Sequence, residues 1–100
     1  MFSFCIGHKN WHRDHLLRCL LSIDRMRAPG DEVIVCDLGS GRPLLEEVFS
    51  TASRRGARFV YSPAGDWSRA EALNRAASQA REPWLVLTDV DSLFPSHWCL

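Results

Sequence analysis

Two carboxylates one residue apart, Asp89 and Asp91, follow the short apolar run Trp84-Leu85-Val86-Leu87-Thr88. Carboxylates placed this close repel each other unless a cation or a proton lies between them. Mg²⁺ or Mn²⁺ suits such a place, since these ions are held by one or two carboxylates together with substrate phosphates. The plainer alternative is that either aspartate caps a turn at Ser92-Leu93-Phe94-Pro95. Asp37 stands in a similar position after Val33-Ile34-Val35-Cys36. An acid there can accept hydrogen bonds from a nucleobase or ribose, or can bond its own turn, with Ser40 read as loop. Gly7 and His8 follow a third apolar run.

These residues are distant in sequence, so the fold must bring them together. Residues 2–6 read as a strand ended by Gly7. Residues 12–26 carry Leu16, Leu20 and Ile23 at helical spacing, with Leu17 and Leu21 beside them and Arg13, Arg18, Ser22 and Arg25 opposite. Ala28-Pro29-Gly30-Asp31 is a turn, and 32–36 a second strand. A helix over 43–55 opens on Pro43 and ends at Gly56. A third strand spans 58–61. Ser68 with Glu71 three residues later opens a third helix, which reaches about Arg81 before Pro83. Residues 84–88 form the fourth strand.

The order is βαβαβαβ, which implies a Rossmann-like α/β fold: an open parallel sheet with helices on both faces. The second and fourth strands are continuous apolar runs, as expected where both faces are covered. Parallel strands end at one edge, and ligands bind there, where the strand order reverses. With the order 3-2-1-4, the crevice opens between His8 and Asp89.

One hundred residues make one domain at most. A net charge of zero argues against a general nucleic-acid binder, which would carry a basic excess, though it leaves room for a local basic patch. Cys5, Cys19, Cys36 and Cys99 show no C-x-x-C spacing and read as reduced, mostly buried thiols of a cytoplasmic protein. The first residues are too short and uncharged for a signal peptide, and no run reaches the ~20 residues of a transmembrane segment. Peripheral membrane attachment stays compatible with this. His8, His12 and His15 lack a fourth ligand at zinc-site spacing, so a polar helix start is the better reading. Lys9 and Arg13 could meet phosphate, with solvated surface the default for Arg13. Trp67 and Trp84 read as packing residues, with the alternative that Trp67, in the loop before the third helix, flanks the ligand.

Four motifs in order give the chain a family resemblance. They are Phe2-Ser3-Phe4-Cys5-Ile6-Gly7-His8-Lys9-Asn10, Val33-Ile34-Val35-Cys36-Asp37-Leu38-Gly39-Ser40, Arg69-Ala70-Glu71-Ala72-Leu73-Asn74-Arg75-Ala76-Ala77 and Trp84-Leu85-Val86-Leu87-Thr88-Asp89-Val90-Asp91. Together they resemble the family 2 glycosyltransferases of the GT-A fold, over nearly the whole chain. The resemblance implies a nucleotide-diphosphate sugar donor, a Mn²⁺ or Mg²⁺ cofactor, and an acceptor that is a glycan, a lipid or a protein. It implies donor contacts from Gly7, His8, Asn10, Asp37, Arg69, Asn74 and Asp89, with the metal on Asp89 and Asp91. Leu38 departs from the pattern, because many members carry a second acid or an amide there. The family's acceptor half, with its catalytic base, normally follows the D-x-D. The expectation is therefore a partial, donor-binding GT-A domain over 1–100, with no residue assignable as the base and self-association through an open sheet edge. Two rivals are a fragment that binds nucleotide weakly or not at all, and a haloacid-dehalogenase-like phosphatase with Asp89 as nucleophile. The second normally opens its domain with this motif, whereas here the motif comes last.

Overall fold

The four apolar runs become four parallel strands in a computed structural model that describes residues 1–10, 12–63 and 67–95. The elements are β1 (Phe2–His8), α1 (Arg13–Met26), β2 (Glu32–Leu38), α2 (Leu44–Arg54), β3 (Arg58–Ser62), α3 (Arg69–Ser78) and β4 (Trp84–Asp89). The sheet order is β3-β2-β1-β4, so the strand order reverses between β1 and β4 while all four strands stay parallel. Register sets His8 beside Asp37 and Gly7 between Cys36 and Asp89.

Alternation along the strands splits the core into two layers. Phe4, Ile6, Val33 and Val35 meet Leu16, Cys19, Leu20 and Ile23 of α1, and Val48 and Ala52 of α2. On the other face Cys5, Ile34, Cys36 and Leu38 meet Ala72, Leu73 and Ala76 of α3. The helical stripe read from 12–26 is therefore the buried face of α1. The edge opposite the candidate site is tied by Glu32. Its Oε2 accepts from the Ser3 hydroxyl at 2.6 Å and from the Arg81 N–H, and its Oε1 pairs with Arg58 at 3.2 Å.

Three boundaries differ from expectation by two residues or more, and the others by at most one. β1 and β2 each run two residues further, to His8 and Leu38, and α3 stops at Ser78. Gly7 does not end its strand. It pairs on both sides, and its missing side chain lets α3 close over it: a Cβ there would lie 3.1 Å from the Cβ of Ala72. The expectation for β4 needs a larger correction. Trp84, Leu85 and Leu87 are 66%, 46% and 52% exposed, so β4 is not covered on both faces. α3 packs over β1 and β2, and Leu85 and Leu87 project beside it on the same face.

Candidate functional site

β1 and β2 end side by side, and their last polar residues bond to each other. The Asp37 Oδ2 lies 2.8 Å from the His8 Nδ1, and both side chains are fully buried. An ionised carboxylate only accepts, so this arrangement assigns the proton to Nδ1. The other oxygen, Oδ1, accepts the Ser40 N–H at 2.8 Å. Burial pushes the Asp37 carboxyl up, but the hydrogen bonds from His8 and Ser40 outweigh it and hold the group below its ordinary 3.8.

The network continues outward. The Ser40 hydroxyl accepts the Asn10 N–H at 2.8 Å, and the Asn10 Oδ1 accepts the Gly41 N–H at 3.3 Å. Asn10 has φ +56°, a left-handed conformation that Asn tolerates better than most residues. Gly39, at φ +87°, makes the return turn of the second loop. The loops after β1 and β2 are thus cross-linked into one unit.

On the other side of β1 the chain leaves β4 through a tight turn, with the Ser92 N–H donating to the Asp89 carbonyl at 3.1 Å. Val90 is buried in the α1 side of the core, whereas Asp89 and Asp91 are exposed. The apolar spacer anchors the turn and leaves the acid on each side in solvent. Neither carboxylate is spent on a backbone cap. Asp89 Oδ1 instead accepts from the Arg69 Nε at 2.6 Å. Arg69 is the first residue of α3, capped by the Ser68 hydroxyl, which accepts the Glu71 N–H at 3.2 Å. The α3 N-terminus therefore sits at this rim, and its unpaired N–H groups favour an anion. Trp67, 44% exposed, lies over Gly7, with its Cη2 3.4 Å from the position of a Cβ there.

The structure thus gathers His8, Asn10, Asp37, Arg69 and Asp89 at one edge, with Asp91 in the turn beyond. Gly7, His8 and Asp37 are buried beneath this rim, and Asn10, Arg69, Asp89 and Asp91 are on its surface. Asn74 is not brought to the rim. It lies five residues into α3, about 7.5 Å along the axis, on the exposed side away from Ala72, Leu73 and Ala76. Ser40 is the residue that reading the sequence missed. Its position three after Asp37, where a side-chain carboxylate reaches a backbone N–H, was the available signal. Of His8, His12 and His15, the first bonds Asp37 and the His12 side chain caps α1 by accepting the Asp14 N–H at 3.1 Å. Among the described residues no three His, Cys, Asp or Glu side chains group to hold a metal. Two carboxylates still fit Mg²⁺ or Mn²⁺ where phosphate oxygens and water complete the shell.

Cys5, Cys19 and Cys36 are free and buried, and Cys99 lies outside the described residues. Burial, then the charge of Glu32, pushes the Cys5 thiol up to about 11; burial, then Asp91, pushes Cys19 up to about 12. Among the described residues no helix is long and apolar enough to cross a membrane.

The fold is shared with solved structures of other proteins. A structure of S. aureus TarS 1-349 in complex with UDP superposes with TM-score 0.81 at 18% identity, covering 96% of this chain and 29% of that one. The mannosyltransferase PcManGT from Pyrobaculum calidifontis, in complex with GDP-Man and Mn²⁺, gives TM-score 0.77 at 25% identity, covering 94% and 28%. The chain spans less than a third of the length of either. A search of curated proteins finds no significant match. The profile of Glycosyl transferase family 2 matches residues 3–100, and the chain belongs to that family.

Proposed function

We propose that this rim binds the diphosphate of a nucleotide sugar through a divalent metal, and serves the transfer of that sugar to an acceptor hydroxyl. The observation that carries the reading is the Asp89-Val90-Asp91 turn, with its spacer buried, both acids exposed and Arg69 on Asp89. Asp89 and Asp91 would hold Mn²⁺ or Mg²⁺. When bound, the metal supplies positive charge that stabilises the leaving diphosphate.

The chain's own residues do the rest of the donor work. Arg69 neutralises Asp89 when no metal is present and is placed to turn toward phosphate, aided by the α3 N-terminus. Trp67 offers an exposed aromatic face above Gly7. Asn10 and the 39–41 loop form the neighbouring wall. The acceptor, whether glycan, lipid or protein, and the base that takes its proton are assigned to no described residue. A cytoplasmic location, with peripheral membrane contact, belongs to the same reading.

Calorimetry with UDP-sugars and GDP-sugars, with and without Mn²⁺, tests it. The expected result is metal-dependent binding that Asp91→Ala weakens by at least about tenfold, the order seen when a metal shell is disturbed. Arg69→Ala should tighten Mn²⁺ in the absence of nucleotide, because Asp89 loses its competing cation. Equal binding by Asp91→Ala and the parent defeats the metal role. Absence of binding by the parent defeats the donor site.

A further inference from the structure

A carboxylate at the end of the second strand invites the reading that it touches the nucleoside. The geometry around Asp37 points elsewhere. We infer that Asp37 is a positioning residue, which acts on the ligand rim through Ser40, His8 and Asn10. The inference rests on the proposal that this rim binds a nucleotide diphosphate.

Three observations carry it. Asp37 is fully buried, and each of its oxygens already accepts an internal hydrogen bond, Oδ2 from His8 and Oδ1 from Ser40, both at 2.8 Å. The carboxylate has no exposed surface, so a base could reach it only if the residues that cover it and bond to it moved aside. A charged group removed from water depends on such bonds, so displacement is costly.

Second, the residues bonded to Asp37 are bonded in turn to the loop tips. Ser40 presents its N–H to Asp37 and its hydroxyl to the Asn10 N–H. Asn10 then accepts the Gly41 N–H. His8 directly precedes the first loop and holds the same carboxylate. One buried charge therefore fixes two loops that come from different strands.

Third, the conformation it fixes needs holding. Asn10 sits at φ +56°, a conformation that Asn bears more easily than other non-glycine residues but that is still uncommon, and the bonds to Ser40 and Gly41 hold it there. The groups left facing solvent at the top of this network are Asn10 and Gly41. Ligand selection at this wall accordingly falls to the loop tips, with Asp37 as their anchor.

Two measurements test this together. Affinities for UDP and for GDP, each with Mn²⁺, are compared in the parent, Ser40→Ala, Ser40→Thr, Asp37→Asn and the double variant Asp37→Asn/Ser40→Ala. Ser40→Ala should weaken both nucleotides by the same factor, about fivefold, the order of one hydrogen bond. Ser40→Thr keeps the hydroxyl and should restore affinity. Asp37→Asn should weaken both nucleotides alike, and the double variant should lose no more than the worse single one, because the residues act in series. An altered UDP-to-GDP preference in Asp37→Asn, or losses that multiply in the double variant, overturns the inference in favour of direct contact. Amide exchange in the absence of nucleotide supplies the second measurement. The Asn10 N–H should be protected in the parent and in Ser40→Thr, and released in Ser40→Ala. Equal protection in all three overturns the clamp. A parent that binds neither nucleotide defeats the proposed function, and the exchange result then still decides whether the clamp exists. Ser40→Ala removes a single hydroxyl, so the test survives if Asp37→Asn does not fold.

Discussion

Two carboxylates of β2, Glu32 and Asp37, stand near its two ends and hold them in different ways. Glu32 gathers Ser3, Arg58 and Arg81, and Asp37 gathers His8 and Ser40. Burial raises both groups, and their hydrogen-bond donors lower them by more, so both end below their ordinary values of 4.5 and 3.8. A carboxyl depressed in the folded state adds stability that is complete above its unfolded value and is lost as pH falls through the folded one. Urea midpoints should therefore be flat down to about pH 5 and fall below about pH 4. Glu32→Gln and Asp37→Asn should each be less stable than the parent at neutral pH and lose less on acidification. Parallel acid limbs in parent and variants would rule out these two groups as the source. Gly7 is the other residue on which the site depends. A Cβ at Gly7 would press on Ala72 at 3.1 Å and on Trp67 at 3.4 Å. Gly7→Ala should cost roughly 1–3 kcal/mol by overpacking, read as a lower urea midpoint at unchanged slope. A midpoint equal to the parent's would mean that α3 moves away freely.

At the scale of elements, β4 combines a site-bearing end with a poorly protected body. β2 is hydrogen-bonded on both sides, to β1 and β3, while among the described residues β4 pairs with β1 alone. Alternate amides of β4 therefore face away from the sheet, beside exposed Leu85 and Leu87. Hydrogen exchange over 85–88 should be markedly faster than over 33–36. Equal protection in both segments would show that β4 is covered in solution. The element order and the meeting of His8, Asp37 and Asp89 at one edge were legible in the sequence, because hydrophobic period and the rules of parallel sheets determine them. The cover over β4 was not legible. An apolar run such as Trp84-Leu85-Val86-Leu87 reads the same whether its faces are buried or open. The role of Gly7 was hidden for a related reason. Glycine marks a turn and a close helix approach equally well, and only the position of Ala72 separates the two. Ser40 and Asp37 were legible as a turn. That the turn would be buried and tied to His8 depended on register, which places residues 8 and 37 opposite each other.

For the whole molecule, the exposed edge and the charge act in the same direction. Leu85 and Leu87 form an exposed apolar strip on one face of this edge strand, with exposed Trp84 on the other face, and the chain carries no net charge at neutral pH. Like-charge repulsion between copies is then weakest near the sequence pI of about 6.9. Two β4 edges related by a two-fold axis would run antiparallel and could exchange backbone hydrogen bonds, burying both strips at once. Sedimentation velocity near pH 7 should show a weight-average mass that rises with concentration. Leu85→Lys and Leu87→Lys place a charge in the strip without touching the rim, so each should lower the association while metal-dependent nucleotide binding persists. Raising the pH well above the pI should also weaken association, since every copy then carries a net negative charge. A parent that stays monomeric at high concentration near its pI would show that this edge tolerates exposure. Association that persists unchanged in both lysine variants would place the contact on another surface. If the variants prevent association and also abolish binding, β4 would be coupled to the Asp89-Val90-Asp91 turn more tightly than its single row of hydrogen bonds to β1 implies.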